Sequence, residues 1–225
     1  MSQIESTEFE AGTVARAVGD SRRLAGVFFF LLAAQFMTVI MLGAAMVPGY
    51  DFNQAAISDL GVFAETAVLF NVSLVVVGLF NLLGGYFFYR IHGARWLAAL
   101  FALAGVGAAG AGVVPLDNPT GLHGLFALLA FVFFNVQAIG TATRLAGPMK
   151  AISVLAGVLG LAFVVLMALG DGGNAALFGP IGHGGTERMI VYPPMVWLIA
   201  FGGYLMAAGA DDPVASRTGG GELAE

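Results

Sequence analysis

Six long apolar runs divide this chain and constrain its fold more than any other feature. They cover roughly Leu24–Val47, Thr66–Tyr89, Trp96–Val114, Leu122–Leu145, Ala151–Leu169 and Ile190–Ala210. Each run approaches the ~20 residues that an α-helix needs to cross ~30 Å of hydrocarbon. Hydrophobic residues make up 59% of the chain and charged residues only 10%, with a mean hydropathy of +0.89. We therefore expect an all-α integral membrane bundle of six transmembrane helices.

The cations of the connecting segments are sorted to one side of the membrane. Eight of the nine Lys and Arg residues lie before the first run, in alternate connectors, or after the last run: Arg16, Arg22, Arg23, Arg90, Arg95, Arg144, Lys150 and Arg217. The positive-inside rule makes these segments cytoplasmic, so both termini of this cell-membrane protein are expected in the cytoplasm. We expect a polar tail at residues 1–21, the bundle at 22–210 and a disordered tail at 211–225.

Composition also limits the partners and the chemistry. The net charge is −5 and the chain contains a single Lys, which argues against nucleic acid as a partner. The chain has no Cys, so disulfides and thiolate metal sites are excluded. The expected partner is the lipid bilayer, and the sequence requires no cofactor.

Small and amide side chains lie inside the apolar runs. The third run is rich in Gly and Ala from Ala104 to Gly112, which predicts close helix packing and a central place in the bundle. Gln35, Asn81 and Asn135 lie at membrane depth, where an amide needs a partner. We interpret such amides as interhelical hydrogen bonds of about 1 kcal/mol each. A polar transport pathway is the alternative interpretation.

The predicted outer face contains three segments with candidate site residues. In the first, Gly49–Gly61, Asn53 is expected to cap a short helix that ends near Ser58 and Asp59. This segment either forms part of a site or is a solvated capping loop.

The second segment joins the third and fourth runs. Asn118 followed by Pro119 predicts the start of the fourth helix, with Asn118 as its N-cap. His123 then lies within the first two turns, and Asp117 immediately precedes the cap. His123 is a candidate metal ligand or proton acceptor, or a histidine that hydrogen-bonds a backbone carbonyl.

The third segment precedes the last run and carries the remaining candidates. Four glycines surround His183, which allows close backbone approach. Glu187 and Arg188 follow, and Arg188 is the single cation of the predicted outer segments. We interpret Arg188 as an anion clamp for a phosphate or carboxylate headgroup, or as half of a salt bridge with Glu187 or Asp117.

Two prolines interrupt the start of the last run. Pro193 and Pro194 have no amide hydrogen, so they free backbone carbonyls near Met189 and Ile190. Because such carbonyls cannot stay unpaired in lipid, we expect the protein or a water-filled cavity to satisfy them.

Three motifs allow a comparison with known membrane families. They are Ile57-Ser58-Asp59-Leu60-Gly61, Pro115 with His123, and Glu187-Arg188 followed by Pro and Trp197. On these motifs the chain resembles the multi-pass family called Domain of Unknown Function 998, over roughly Leu24–Gly209. The resemblance implies a six-helix membrane fold and no definite reaction.

The chain also has a looser likeness to membrane hydrolases of the alkaline ceramidase class. That likeness implies a hydrolytic site with zinc as a possible cofactor, for which this chain offers Ser58, Asp117, His123 and His183. The paired His motif that the class carries on its last helix is missing here, which counts against a zinc hydrolase.

The sequence therefore favours one function and leaves two alternatives open. The favoured function is the binding or handling of an anionic lipid headgroup or small anion by Arg188, His183, His123 and Asp117. The first alternative is a membrane-embedded hydrolase of lipid esters or amides, with Asp117, His123 and His183 as metal ligands or Ser58 as nucleophile. Its catalytic candidates are Ser58, Asp59, Asp117, His123, His183 and Glu187. The second alternative is a small transporter or an accessory subunit.

Overall fold

The computed structural model describes residues 3–208, and within them the side chains of residues 17–207. This part of the chain is helical and contains no strand. The six long helices are α1 (Gln3–Met46), α2 (Ala67–His92), α3 (Arg95–Val113), α4 (Leu122–Thr141), α5 (Gly147–Asp171) and α6 (Gly182–Ala208). Short 3₁₀ helices occupy Ser58–Gly61, Ala142–Arg144 and Ala175–Ile181.

All six long helices contain a segment long and apolar enough to cross a membrane. Their outward faces carry exposed aliphatic side chains such as Val68, Val113 and Leu155. Such a surface suits lipid, in which only helices and closed barrels can satisfy every backbone polar group. The predicted all-α bundle of six spans is confirmed.

The helices form a ring in chain order. Each of α2 to α5 packs mainly against its two neighbours in the sequence, and contacts between α1 and α6 close the ring. Aromatic rings fill the core on the α1–α6 side, where Phe29, Phe101, Phe201 and Trp197 are buried and stacked. One end of the ring is built from the segments 47–66, 114–121 and 172–181, and we call it the long-loop end.

The glycine-rich helix α3 lies within this ring, not at the centre of the bundle. The prediction of close approach is nevertheless correct, because Gly78 of α2 and Gly105 of α3 bring their backbones into contact. Gly107 makes a similar approach to the α4 backbone at Ala130. The expectation of a central α3 was wrong because small residues allow close packing against any neighbour, including ring neighbours.

The buried amides bond between helices, as predicted. Asn81 and Gln137 form a reciprocal amide pair with N···O distances of 3.0 and 3.2 Å. Ser73 Oγ donates to Gln35 Oε1 at 2.8 Å. Each pair links two helices of the ring, so these side chains support packing rather than line an open polar path.

Several predicted helix ends are corrected by the structure. Helix α4 begins at Leu122 and not near Asn118, because the Asn118 side chain closes its own turn by accepting from the Thr120 backbone at 3.0 Å. Asn53 caps no helix, because the short helix that follows it begins only at Ser58. The backbone amide of Asn53 instead donates to Asp51 Oδ1 at 2.8 Å. Helix α1 begins at Gln3, ahead of the apolar span at Ala17–Met46, so the backbone of the predicted polar tail is helical from Gln3 onward. The predicted tail at 211–225 lies outside the described residues.

Candidate functional site

At the long-loop end, the first loop is docked on the start of α6. Helix α6 begins earlier than the last apolar run, at Gly182, whose φ of +66° favours glycine. The Gly184 amide donates to Asn53 O at 2.8 Å, and a Cβ on Gly184 would collide with Ala55 O. Residues 182–189, which precede the last apolar run, are therefore helical and packed against the first loop.

Arg188 fastens this loop through backbone carbonyls. Its Nη1 donates to Phe52 O and Ala55 O, each at 2.9 Å, and to Gly184 O at 2.7 Å. Its guanidinium also lies 4.9 Å from the centre of the Phe52 ring. The side chain is only 7% exposed. This geometry favours the loop-tying role of Arg188 over an anion clamp, with carbonyls in place of the expected carboxylate partners.

Tyr50 extends the same contact network. Arg188 Nη2 donates to the Tyr50 hydroxyl at 2.7 Å, and that hydroxyl donates to Ala56 O at 2.8 Å. Burial raises the pKa of Tyr50 above its usual value, although the nearby Arg188 opposes this effect. Tyr50 therefore keeps its hydroxyl hydrogen at neutral pH and links the arginine to the loop backbone.

Glu187 contacts the next residues of the loop and is 3% exposed. Its Oε2 accepts from the Ile57 amide at 2.6 Å, and its Oε1 accepts from Ser58 Oγ at 3.2 Å. The neighbouring Asp59 carboxylate accepts from the Ala56 amide at 2.8 Å and so shapes the loop locally. Two of the predicted candidates, Ser58 and Glu187, thus meet through a direct hydrogen bond.

His123 is the second residue of α4 and is buried against the end of α3. Its Nδ1 lies 2.8 Å from Val114 O and 3.2 Å from Ala111 O. Both partners are acceptors, so the neutral ring carries its hydrogen on Nδ1 and keeps a lone pair on Nε2. The expectation that His123 bonds a backbone carbonyl is confirmed, and Nε2 is left as the acceptor atom of the ring.

An apolar cavity of about 60 Å³ lies inside the ring, and these groups face its long-loop end. Its polar lining residues are Ser58, His123, Asn135 and Glu187. The remaining lining residues are Ala, Val, Leu, Ile, Met, Pro and Phe side chains from α1, α2, α3, α4, α6 and the first loop. The cavity therefore combines a mainly apolar wall with a small polar cluster, as ligand sites in proteins commonly do.

Asn135 lines the deeper part of the cavity and hydrogen-bonds a backbone carbonyl that the prolines of α6 leave free. Its Nδ2 donates to Ile190 O at 3.1 Å, the carbonyl that Pro194 cannot pair four residues later. The expectation that the protein satisfies a carbonyl freed by these prolines is confirmed for Ile190. Sequence reasoning had noted Asn135 only as a packing amide and missed its place in the cavity.

The other predicted site residues do not join this cluster. Asp117 is exposed, and His183 lies away from the cavity, with its Nε2 3.3 Å from Asp171 Oδ1. The described residues contain no group of three His, Asp or Glu side chains that could hold a metal. The predicted metal set of Asp117, His123 and His183 is therefore not assembled, because the three segments approach the bundle at different places around the ring.

Comparison with known proteins adds one finding. A family model described as a protein of unknown function, DUF998, matches residues 23–204. This match covers more than half of the chain and confirms the resemblance drawn from the Ile57–Gly61 motif. No curated protein and no solved structure matches the chain.

Proposed function

The chain belongs to the DUF998 family, for which no activity is described, and we propose that it binds a membrane lipid through the cavity at the long-loop end. The observation that carries this proposal is the pairing of an apolar wall with polar groups at one end of it. His123 and Asn135 are separated by about three turns of α4, so the lining runs along the helix in the direction of a lipid chain. The volume of about 60 Å³ holds about four water-sized groups. It therefore suits the part of a lipid nearest the headgroup.

Lipid binding fits the contacts better than either alternative. Zinc hydrolysis lacks a group of three ligands among the described residues. Serine hydrolysis would need the Ser58 hydroxyl to donate to a histidine base, whereas it donates to Glu187 Oε1. A transport pathway would need open polar groups across the membrane, and the central amides Asn81 and Gln137 are paired with each other. We therefore place Ser58, Glu187 and His123 at the lipid's polar end and assign Arg188 to positioning the loop.

A cavity-filling variant tests the proposal. We expect one lipid to remain bound to the purified wild-type protein and to be lost from Ala127→Leu, because the larger side chain occupies the cavity. Native mass spectrometry of the full chain, released from lipid nanodiscs, measures the adduct. The matched control is Ala99→Leu, which makes the same change at an exposed position of α3. Equal lipid retention by all three proteins would refute the proposed site.

The orientation of the cavity can be tested separately. Since eight of the nine cations belong to the opposite side, we place the long-loop end outside and both termini in the cytoplasm of a cell-membrane protein. We expect a membrane-impermeant thiol reagent to label Glu65→Cys in intact cells and to label Lys150→Cys only after permeabilisation. Both positions are exposed, and the absence of native Cys gives a clean background. The reverse labelling pattern would invert the assignment.

A further inference from the structure

The polar end of the cavity is built from hydrogen-bond acceptors. Both carboxylate oxygens of Glu187 already accept one hydrogen bond, and each keeps capacity for another. His123 adds the Nε2 lone pair, because its Nδ1 hydrogen points to Ala111 O and Val114 O. Two buried side chains that contain acceptor atoms therefore line the same end of one cavity.

The donor groups of the residues that line this end are already engaged. The Ile57 amide and the Ser58 hydroxyl both donate to Glu187. Arg188 Nη1 and Nη2 donate to the first loop, to Gly184 O and to Tyr50, whereas its buried Nε has no hydrogen-bond partner. Arg188 does not line the cavity, however, and none of the lining residues is Lys or Arg. An anionic group placed beside Glu187 would lose its hydration in an apolar surrounding and gain no free donor from the lining residues, which is strongly unfavourable.

We propose that the site selects an amphiphile whose polar end donates hydrogen bonds and carries no negative charge. This inference rests on the lipid-binding function proposed above and names its ligand class. An alcohol or an amine can donate hydrogen bonds to the acceptor atoms of Glu187 and His123, whereas an ionised carboxylate or phosphate cannot. The ligand class thus departs from the anionic headgroup that the position of Arg188 in the sequence suggested.

Three single-chain probes of equal length test this selectivity: dodecanol, dodecylamine and dodecanoate. The full chain is placed in nanodiscs of zwitterionic lipid at neutral pH, and each probe is titrated while thermal unfolding is followed. Ala127→Leu is titrated in parallel, so that effects of the probe on the bilayer are subtracted. We expect dodecanol or dodecylamine, or both, to stabilise the wild type beyond this variant, and dodecanoate to have no such effect. The alcohol and amine arms distinguish a neutral donor from a cationic one, and either supports the inference.

Glu187→Gln provides the matched control, because it keeps the side-chain shape while replacing one acceptor oxygen with a donor amide group. We expect the preference for dodecylamine over dodecanoate to fall by at least about tenfold, in line with the strength of a hydrogen bond to a charged group. If this variant does not fold, the wild-type and Ala127→Leu titrations decide the question alone.

The possible failures are distinguishable. Stabilisation of the wild type by dodecanoate in preference to dodecanol and dodecylamine, abolished in Ala127→Leu, would overturn the ligand class and leave lipid binding in this cavity intact. If none of the probes separates the wild type from Ala127→Leu, both the ligand class and the lipid-binding function fail.

Discussion

Replacing Arg188 by Met is expected to destabilise the protein by about 3–5 kcal/mol, comparable with the loss of one partner from a buried charged contact. The change leaves Phe52 O and Ala55 O without the Arg188 donor, and unpaired buried acceptors cost about 1–3 kcal/mol each. It also removes the donor to the Tyr50 hydroxyl, which then keeps only its bond to Ala56 O. Thermal unfolding of the purified protein in nanodiscs measures the loss. Limited proteolysis of the segment 47–66 reports whether the loop has been released.

The matched control for this variant is Arg90→Met. Arg90 also donates to a tyrosine hydroxyl, that of Tyr86 at 3.3 Å, and its guanidinium lies 6.0 Å from that ring. Unlike Arg188 it is exposed, so its contacts compete with water and contribute about 0–1 kcal/mol. Similar melting temperatures for the two variants would contradict the view that Arg188 holds the loop.

Two neighbouring residues of α6 have different roles: Glu187 lines the cavity and Arg188 holds the first loop. Successive residues of an α-helix point about 100° apart, so Glu187 and Arg188 cannot face the same groups. Glu187 reaches Ile57, Ser58 and the cavity, while Arg188 reaches carbonyls earlier in the loop. The loop carries the acceptors for Arg188 and the donors for Glu187 within seven residues, 52 to 58. Loss of Arg188 is therefore expected to disturb the cavity as well as the loop.

The helices were predictable because lipid imposes a simple condition on the backbone. Long apolar runs must become helices in a membrane bundle, and the six spans follow from their length alone. The ends were less predictable because packing extended them. The glycine-rich stretch Gly182–Gly185 looks like a loop by composition, yet it is helical, and Gly182 and Gly184 let the first loop dock closely on it.

The site was only partly predictable for a different reason. Ser58, His123 and Glu187 stand out as polar residues beside apolar runs, and the structure places all three at the cavity. Three of the four hydrogen-bond partners of Arg188 are backbone carbonyls, which every residue possesses and no sequence pattern marks. His183 lies beside Asp171 and not beside His123. Which residue it meets depends on the arrangement of helices around the ring, which the sequence does not reveal.

Replacing Gly78 by Ala is expected to cost about 3 kcal/mol, at the upper end of the range for overpacking a filled core. A Cβ at this position would collide with Gly105 O and lie 2.7 Å from the backbone N of Ala109. Backbone atoms cannot turn aside as a flexible side chain can, so α2 and α3 must separate. Thermal unfolding in nanodiscs measures the loss of stability.

The matched control is Gly203→Ala on α6, where a Cβ meets no heavy atom within 4 Å and the change is expected to leave stability equal or slightly higher. Equal stability of the two variants would show that the α2–α3 interface tolerates a wider spacing than the contact of Gly78 with Gly105 implies.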